Sequence, residues 1–287
     1  MRSEQCVRHE RKLLRRLQNN LAYVKMGHSI RDKGTIALVQ MLRVVPRLTG
    51  ANSKTYSGFL QFSQRLLKGV TVLVDNLRFH LIDLESLAIL SPNFEPFMNL
   101  WFTPRNHYIV LDIGAHIGKY TISAAKAVGP EGTVIAVEAY EPNYRVLQAN
   151  IALNDLQNVI PLNVAAWNQD TEVKLYKSRR SGWHTTAREM QHGFDLVKAR
   201  RMDNILSEIR VNRVDLVKID VEGAECEVIE GMGRLLESKP RILIELSTRN
   251  LERLKSFLKT VDYAAVQVSG HTESVELGDS IAYYFLC

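Results

Sequence analysis

Apolar positions along the first quarter of the chain follow a helical period. Val7, Leu14, Leu17, Leu21 and Val24 recur on one face with arginines between them, which predicts an amphipathic helix over residues 5–26. A shorter run predicts a second helix over 35–45, stopped by Pro46. The polar, turn-rich stretch LTGANSKTYS (Leu48–Ser57) then marks a boundary. Beyond it VTVLVDNLRFHLI reads as two strands, Val70–Asp75 and Leu77–Leu81, on either side of Asn76. The segment SPNFEPFMNLWF (Ser91–Phe102) joins two prolines to bulky aromatics and either lines a pocket or packs beneath the main domain.

From Tyr108 the pattern becomes regular. Nearly continuous apolar runs at Tyr108–Ile113, Val134–Val137, Val159–Asn163, Leu216–Ile219 and Ile242–Glu245 alternate with helical patterns over 119–128, 142–154, 224–237 and 250–260. Short strands without polar alternation are buried on both faces, so the pattern predicts an α/β fold with a mostly parallel sheet between helices. Two closing strands, Ala264–Val268 and Ile281–Leu286, are joined by a polar loop and leave at least one antiparallel strand on that sheet. The expected organisation is a basic helical extension over 1–56, a strand-containing lead-in over 57–107 and the main domain over 108–287.

Composition narrows the classes. The 287 residues are 46% hydrophobic and 24% charged, ordinary for a folded protein and unlike a disordered or repetitive chain. No apolar run approaches the roughly 18 residues that span a bilayer, and no apolar segment follows the basic start, so no secretory signal is expected. Cys6, Cys226 and Cys287 are too scattered for a disulfide framework, which points to a reduced, cytoplasmic setting. Of 37 basic and 31 acidic residues, eleven and three fall within residues 1–50, leaving the remainder near neutral at 26 against 28. That basic segment suits nucleic acid or an anionic membrane surface, or is simply a solvated helix.

Three motifs carry chemistry. In YIVLDIGAHIGKYT (Tyr108–Thr121) a buried strand ends in an acid, and Gly114 and Gly118 open a helix. Ligands of doubly wound sheets sit beyond the carboxyl ends of strands, where glycine permits close backbone approach and a helix N-terminus favours a carboxylate or phosphate. His116 occupies the second glycine position of a dinucleotide loop, and Lys119 lacks the spacing of a phosphate-binding P-loop. What remains is a D-x-G-x-x-x-G loop for S-adenosylmethionine (SAM). In the second motif Glu138 closes the next strand, twenty residues beyond Gly118, where an acid can accept from ribose hydroxyls. In the third, VDLVKIDVEGAECEVIEGM, Asp220 ends an apolar strand beside the first. Asp220 then faces the cofactor's ammonium or the reacting methyl, or else caps the following helix, the role that suits Glu222. Asp220, Glu222 and Glu245 can in principle meet at strand ends and hold Mg²⁺, but no H-x-x-H or C-x-x-C pair is present and no obligatory metal is expected.

The strings LDIGAHIGKYT, EAYEPNYRVLQANIALN, RRMDNIL and KIDVEGAE resemble, in order and spacing, the FkbM-type SAM-dependent methyltransferases over roughly residues 60–287. The resemblance implies the class I methyltransferase (Rossmann-like) fold, a seven-stranded sheet of order 3-2-1-4-5-7-6 with strand seven antiparallel. It maps Asp112, Gly114, Ala115, His116, Gly118 and Glu138 onto cofactor positions and Asp220 onto the acid after strand four. His116 stands where the family often has Asn, and Ala139-Tyr140 replaces the usual Pro after the ribose acid. The implied reaction is O-methylation of a hydroxyl on a small molecule or glycan. His184, in the loop SGWHTT near the expected substrate mouth, is the first choice of base, and Asp220 the second. The rival readings are an RNA or protein methyltransferase that holds an acidic substrate through residues 1–50, and a cofactor-binding scaffold without catalysis.

Overall fold

The hairpin of Thr71–Val74 (β1) and Leu77–His80 (β2) turns on Asp75 and Asn76, both left-handed with φ of 50° and 63°. Short polar side chains tolerate that conformation, and the paired positive φ angles match the twist of the two strands. The computed structural model describes residues 18–43, 53–269, 272–274 and 279–287, in two units, Met1–Phe94 and Glu95–Cys287.

The hairpin belongs to the first unit. Residues 18–26 are helical, whereas the rest of the expected 5–26 helix lies outside the described residues. The second helix runs Ile30–Leu42 rather than 35–45, because Ser29 and Asp32 form a reciprocal capping box that starts it early. Asp32 also accepts from the Thr71 amide at 3.2 Å, tying that helix to the hairpin, and Ile36 and Val39 are fully buried. The boundary expected across Leu48–Ser57 is corrected in part: from Ser53 the chain is helical to Leu67. Residues up to Phe94, including the first part of the lead-in, fall in one unit.

The second unit begins at Glu95, ahead of the expected break at 107/108. Met98 and Phe102 are core residues with Phe97 and Trp101 packed against them, so the aromatic segment packs beneath the sheet. The strands are Ile109–Ile113 (β3), Thr133–Val137 (β4), Val159–Leu162 (β5), Ala165–Ala166 (β6), Thr171–Tyr176 (β7), Phe194–Arg200 (β8), Leu216–Ile219 (β9), Arg241–Ser247 (β10), Ala265–Gln267 (β11), Thr272–Ser274 (β12) and Asp279–Leu286 (β13). The main sheet runs β5-β4-β3-β9-β10-β13-β11, with short β12 also on β13. By order of appearance in that sheet this is 3-2-1-4-5-7-6. Only β13 runs against its neighbours β10 and β11. The fold is the class I methyltransferase fold, with the antiparallel strand where the resemblance put it.

Both faces are covered. Leu111, Ile113, Val217, Ile219 and Ile244 point into a core shared with Met202, Val228 and Leu254 from three helices. Val110, Val134, Leu216 and Leu243 pack with Ala124, Ala125 and Val128 of the helix Lys119–Val128. The helix expected over 224–237 is two, Glu225–Glu230 and Gly233–Glu237. It breaks where Gly231 meets Trp167, whose carbonyl oxygen lies 2.0 Å from the position a Cβ would take. A second sheet, β6-β8-β7, projects between β5 and β9 in sequence. Among the described residues no helix is long and apolar enough to cross a membrane.

Candidate active site

The turn after β3 is fixed by the strands beside it. The amides of Gly114 and Ala115 both donate to the Val137 carbonyl, at 2.9 and 3.0 Å, and the Asp220 amide donates to Ile113 at 3.0 Å. Gly114 is left-handed (φ 81°), and a Cβ there would stand 1.8 Å from the Asp220 carbonyl oxygen. A glycine is therefore required by the protein's own backbone. Gly118 (φ 95°) is required by packing: a Cβ would meet Leu147 at 2.7 Å, where two helices touch.

Glu138 joins this turn to the end of β4. Its carboxylate accepts from the His116 amide at 2.8 Å and the Tyr140 amide at 2.9 Å. It is only 7% exposed. Burial pushes its pKa up to about 7, against the pull of those two amides. Asp112 is fully buried; its Oδ2 accepts from Thr121, and its Oδ1 has no partner. Burial raises this carboxyl, opposed by the Lys218 ammonium.

Lys218 is the counter-charge of the region. It is 1% exposed and donates to Asp220 Oδ2 at 3.0 Å. Burial alone would lower its pKa, but Asp220, Asp112 and Glu95 hold it raised. Burial likewise works against the Asp220 carboxylate, and the Lys218 ammonium overrides it, so Asp220 stays below the usual range. Glu245 is pushed well up by burial and by the Asp220 charge. Glu95 receives the hydroxyls of Tyr120 and, at 2.8 Å, Tyr283, which also stands 3.5 Å from Asp220 Oδ2. Lys119, partly buried and near Lys218, is lowered to about 8. The carboxylate oxygens of Asp220, Glu222 and Glu245 lie within 4.8 Å of one another, the meeting that the sequence left open.

The residues singled out in the sequence thus fall into two groups. Asp112, Gly114, Ala115, His116, Gly118, Glu138 and Asp220 converge on the ends of β3, β4 and β9. His184 lies in the segment after β7: its Nδ1 accepts from the Ser178 amide at 3.1 Å, and its ring lies 3.9 Å from that of Tyr140. Trp183 takes the Arg180 guanidinium 5.3 Å over its ring. The sequence reading missed Glu95, Tyr120, Asn143, Lys218 and Tyr283. Lys218 left a signal, a lysine inside an otherwise apolar strand. The others lie in segments with no pattern that marks them.

The acceptor set suits the amino-acid and ribose ends of SAM. Asp112 Oδ1 and Asn143 Oδ1 are buried acceptors without a hydrogen-bond partner, and buried acceptors call for donors. SAM offers an ammonium and two ribose hydroxyls.

The strand order defines the class I methyltransferase fold. The model of the methyltransferase FkbM domain matches residues 112–267, and the chain belongs to that family, whose cofactor is SAM. The chain is 33% identical over 121 residues to a tRNA(Phe) (4-demethylwyosine(37)-C(7)) aminocarboxypropyltransferase of Methanocaldococcus jannaschii, covering 42% of this chain and 47% of that protein. It is 26% identical over 150 residues to "Methyltransferase 1" of Beauveria bassiana, covering 45% and 59%. With the hexuronic acid methyltransferase AglP of Haloferax volcanii it shares 27% over 143 residues, covering 48% and 55%. The chain spans about half the length of the curated relatives it matches.

Proposed function

We propose that this protein transfers a methyl group from SAM to a hydroxyl oxygen of a small-molecule or glycan acceptor. The observation that carries the reading is Glu138, a buried carboxylate held by the His116 and Tyr140 amides at the end of β4. An acid there can accept hydrogen bonds from the ribose hydroxyls. Asp112, Gly114, Ala115, His116, Gly118 and Asp220 complete the cofactor's surroundings, with Asp112 Oδ1 suited to the ammonium. Bound SAM supplies an electrophilic methyl on sulfur, so the protein's task is to align the acceptor and exclude water. The acceptor's proton needs a base. Asp220, close to Glu245 and Tyr283, is the candidate on position, though Lys218 makes it a weak base; the His184 ring is packed on Tyr140.

Similarity to a hexuronic acid methyltransferase supports a sugar-like acceptor. A second reading, an RNA or protein acceptor held through the basic residues 1–50, draws on the tRNA-modifying relative and stands behind the first. Labelled methyl transfer from SAM into fractionated extracts distinguishes them. Label in small molecules or glycans supports the first, label in RNA or protein the second, and no transfer alongside measurable SAM binding would leave a scaffold without catalysis.

A further inference from the structure

We propose that residues 177–184 form a flap over the cofactor site, with Ser181 as its latch; the proposal rests on the cofactor placement argued above. The base of this segment is pinned. Tyr176 and Thr185 exchange backbone hydrogen bonds at 2.8 and 3.1 Å, so the eight residues between them leave and return at one point. The Thr185 hydroxyl donates to the Glu222 carbonyl, and a Cβ on Gly223 (φ 109°) would meet Ala187 Cβ at 2.8 Å. The glycine of KIDVEGAE therefore makes the floor on which the flap's base rests.

The tip reaches the opposite side of the site. Ser181 Oγ stands 2.8 Å from His116 Nε2, on the turn after β3. The Ser181 carbonyl accepts from Asn143 Nδ2 at 2.8 Å, and His184 lies against Tyr140. The tip thus spans from the third motif to the two turns that flank Glu138. Under it Glu138 is 7% and Asn143 2% exposed, too enclosed for a nucleoside to arrive while the tip is down. The imidazole of His116 is long enough to meet Ser181 from this turn.

The flap can open without unfolding the domain. Arg179 and Arg180 are exposed, and the segment adds no side chain to the sheet cores. Segments with few buried apolar contacts open locally at low cost, and such motions often set the rate of product release.

The test uses the full chain and S-adenosylhomocysteine as probe. Stopped-flow emission of Trp183, with Trp183→Phe as control, follows the tip, and hydrogen exchange of peptides covering 177–187 follows it without any substitution. The flap predicts protection of 177–187 on binding. It also predicts that Ser181→Gly raises association and dissociation rates together, each roughly fivefold as expected for one lost hydrogen bond, with the dissociation constant nearly unchanged. A merely structural Ser181 would weaken binding without faster association. Tight binding with wild-type rates in Ser181→Gly and no protection of 177–187 would overturn the flap while leaving the cofactor placement intact. Absence of any heat or thermal shift from the probe on the wild-type protein would overturn both.

Discussion

The carbonyl oxygen of Asp220 occupies the space beside Gly114 so closely that a Cβ on residue 114 would lie 1.8 Å from it. The glycine of the first motif and the acid of the third are one contact, made before any ligand is considered. Gly114→Ala must therefore part β3 from β9 and also strain a left-handed φ. We expect a loss of about 3 kcal/mol or more, at the upper end of overpacking in a closed core, read from urea unfolding. A stable Gly114→Ala protein that merely failed to bind SAM would return the glycine's role to the cofactor.

Glu138→Ala should weaken SAM binding by about 1.5–3 kcal/mol, the range for hydrogen bonds to a charged group. Calorimetry on the folded variant measures it, and wild-type affinity would contradict the cofactor placement.

Burial raises Glu138 and Glu225 to about 7. Between an unfolded value near 4.3 and about 7 the folded protein holds protons that the unfolded chain has lost. Stability contributed by these groups is thus fully present below about pH 4 and is lost as pH rises to about 7. The slope is of order 1.4 kcal/mol per pH unit for each group. Unfolding free energies at pH 5, 6 and 7 should fall, and the fall should be shallower in Glu138→Gln.

Lys218→Met leaves Asp220, Asp112 and Glu95 without their buried counter-charge. The expected cost is about 3–5 kcal/mol, with partial recovery in Lys218→Met combined with Asp220→Asn. Equal stabilities of the single and double variants would show that the pair does not act as a unit.

Once an acceptor is known, Asp220→Asn should lower kcat by roughly 10²–10⁴. His184→Ala should change it by less than about tenfold, since its ring already packs on Tyr140 and its Nδ1 is engaged. The opposite ranking would restore the histidine as the acceptor's base.

Ile36 and Val39 are fully buried in the first unit. Ile36→Ala should destabilise that unit by about 2–5 kcal/mol, and removal of residues 1–48 should expose apolar surface and promote aggregation. A soluble truncated protein with unchanged melting would instead make the basic segment a separable arm.

Most of the sheet was legible because its strands are dry on both sides and leave unbroken apolar runs, as in Ile109–Ile113. β8 was not, because it belongs to a small open sheet: its burial alternates, but apolar Phe194 and Leu196 stand on the exposed face, so hydrophobicity does not follow burial. The turn after β3 was legible from Asp112, Gly114, Gly118 and Glu138, whose spacing is set by local geometry. Glu95 and Tyr283 were not, since their meeting depends on tertiary placement alone. His184 was read from its chemical type, and only packing on Tyr140 revealed how that ring is used.

The hydroxyl of Tyr283 meets Glu95 across 188 positions of sequence. β13 is the antiparallel strand inserted between β10 and β11, so a chain still short of it has the turn after β3 but lacks the Tyr283 hydroxyl that meets Glu95. Pairings so distant in sequence form late. The cluster of Glu95, Tyr283 and Asp220 is therefore complete only once β13 has joined the sheet, whereas the turn after β3 needs no more than β4 and β9.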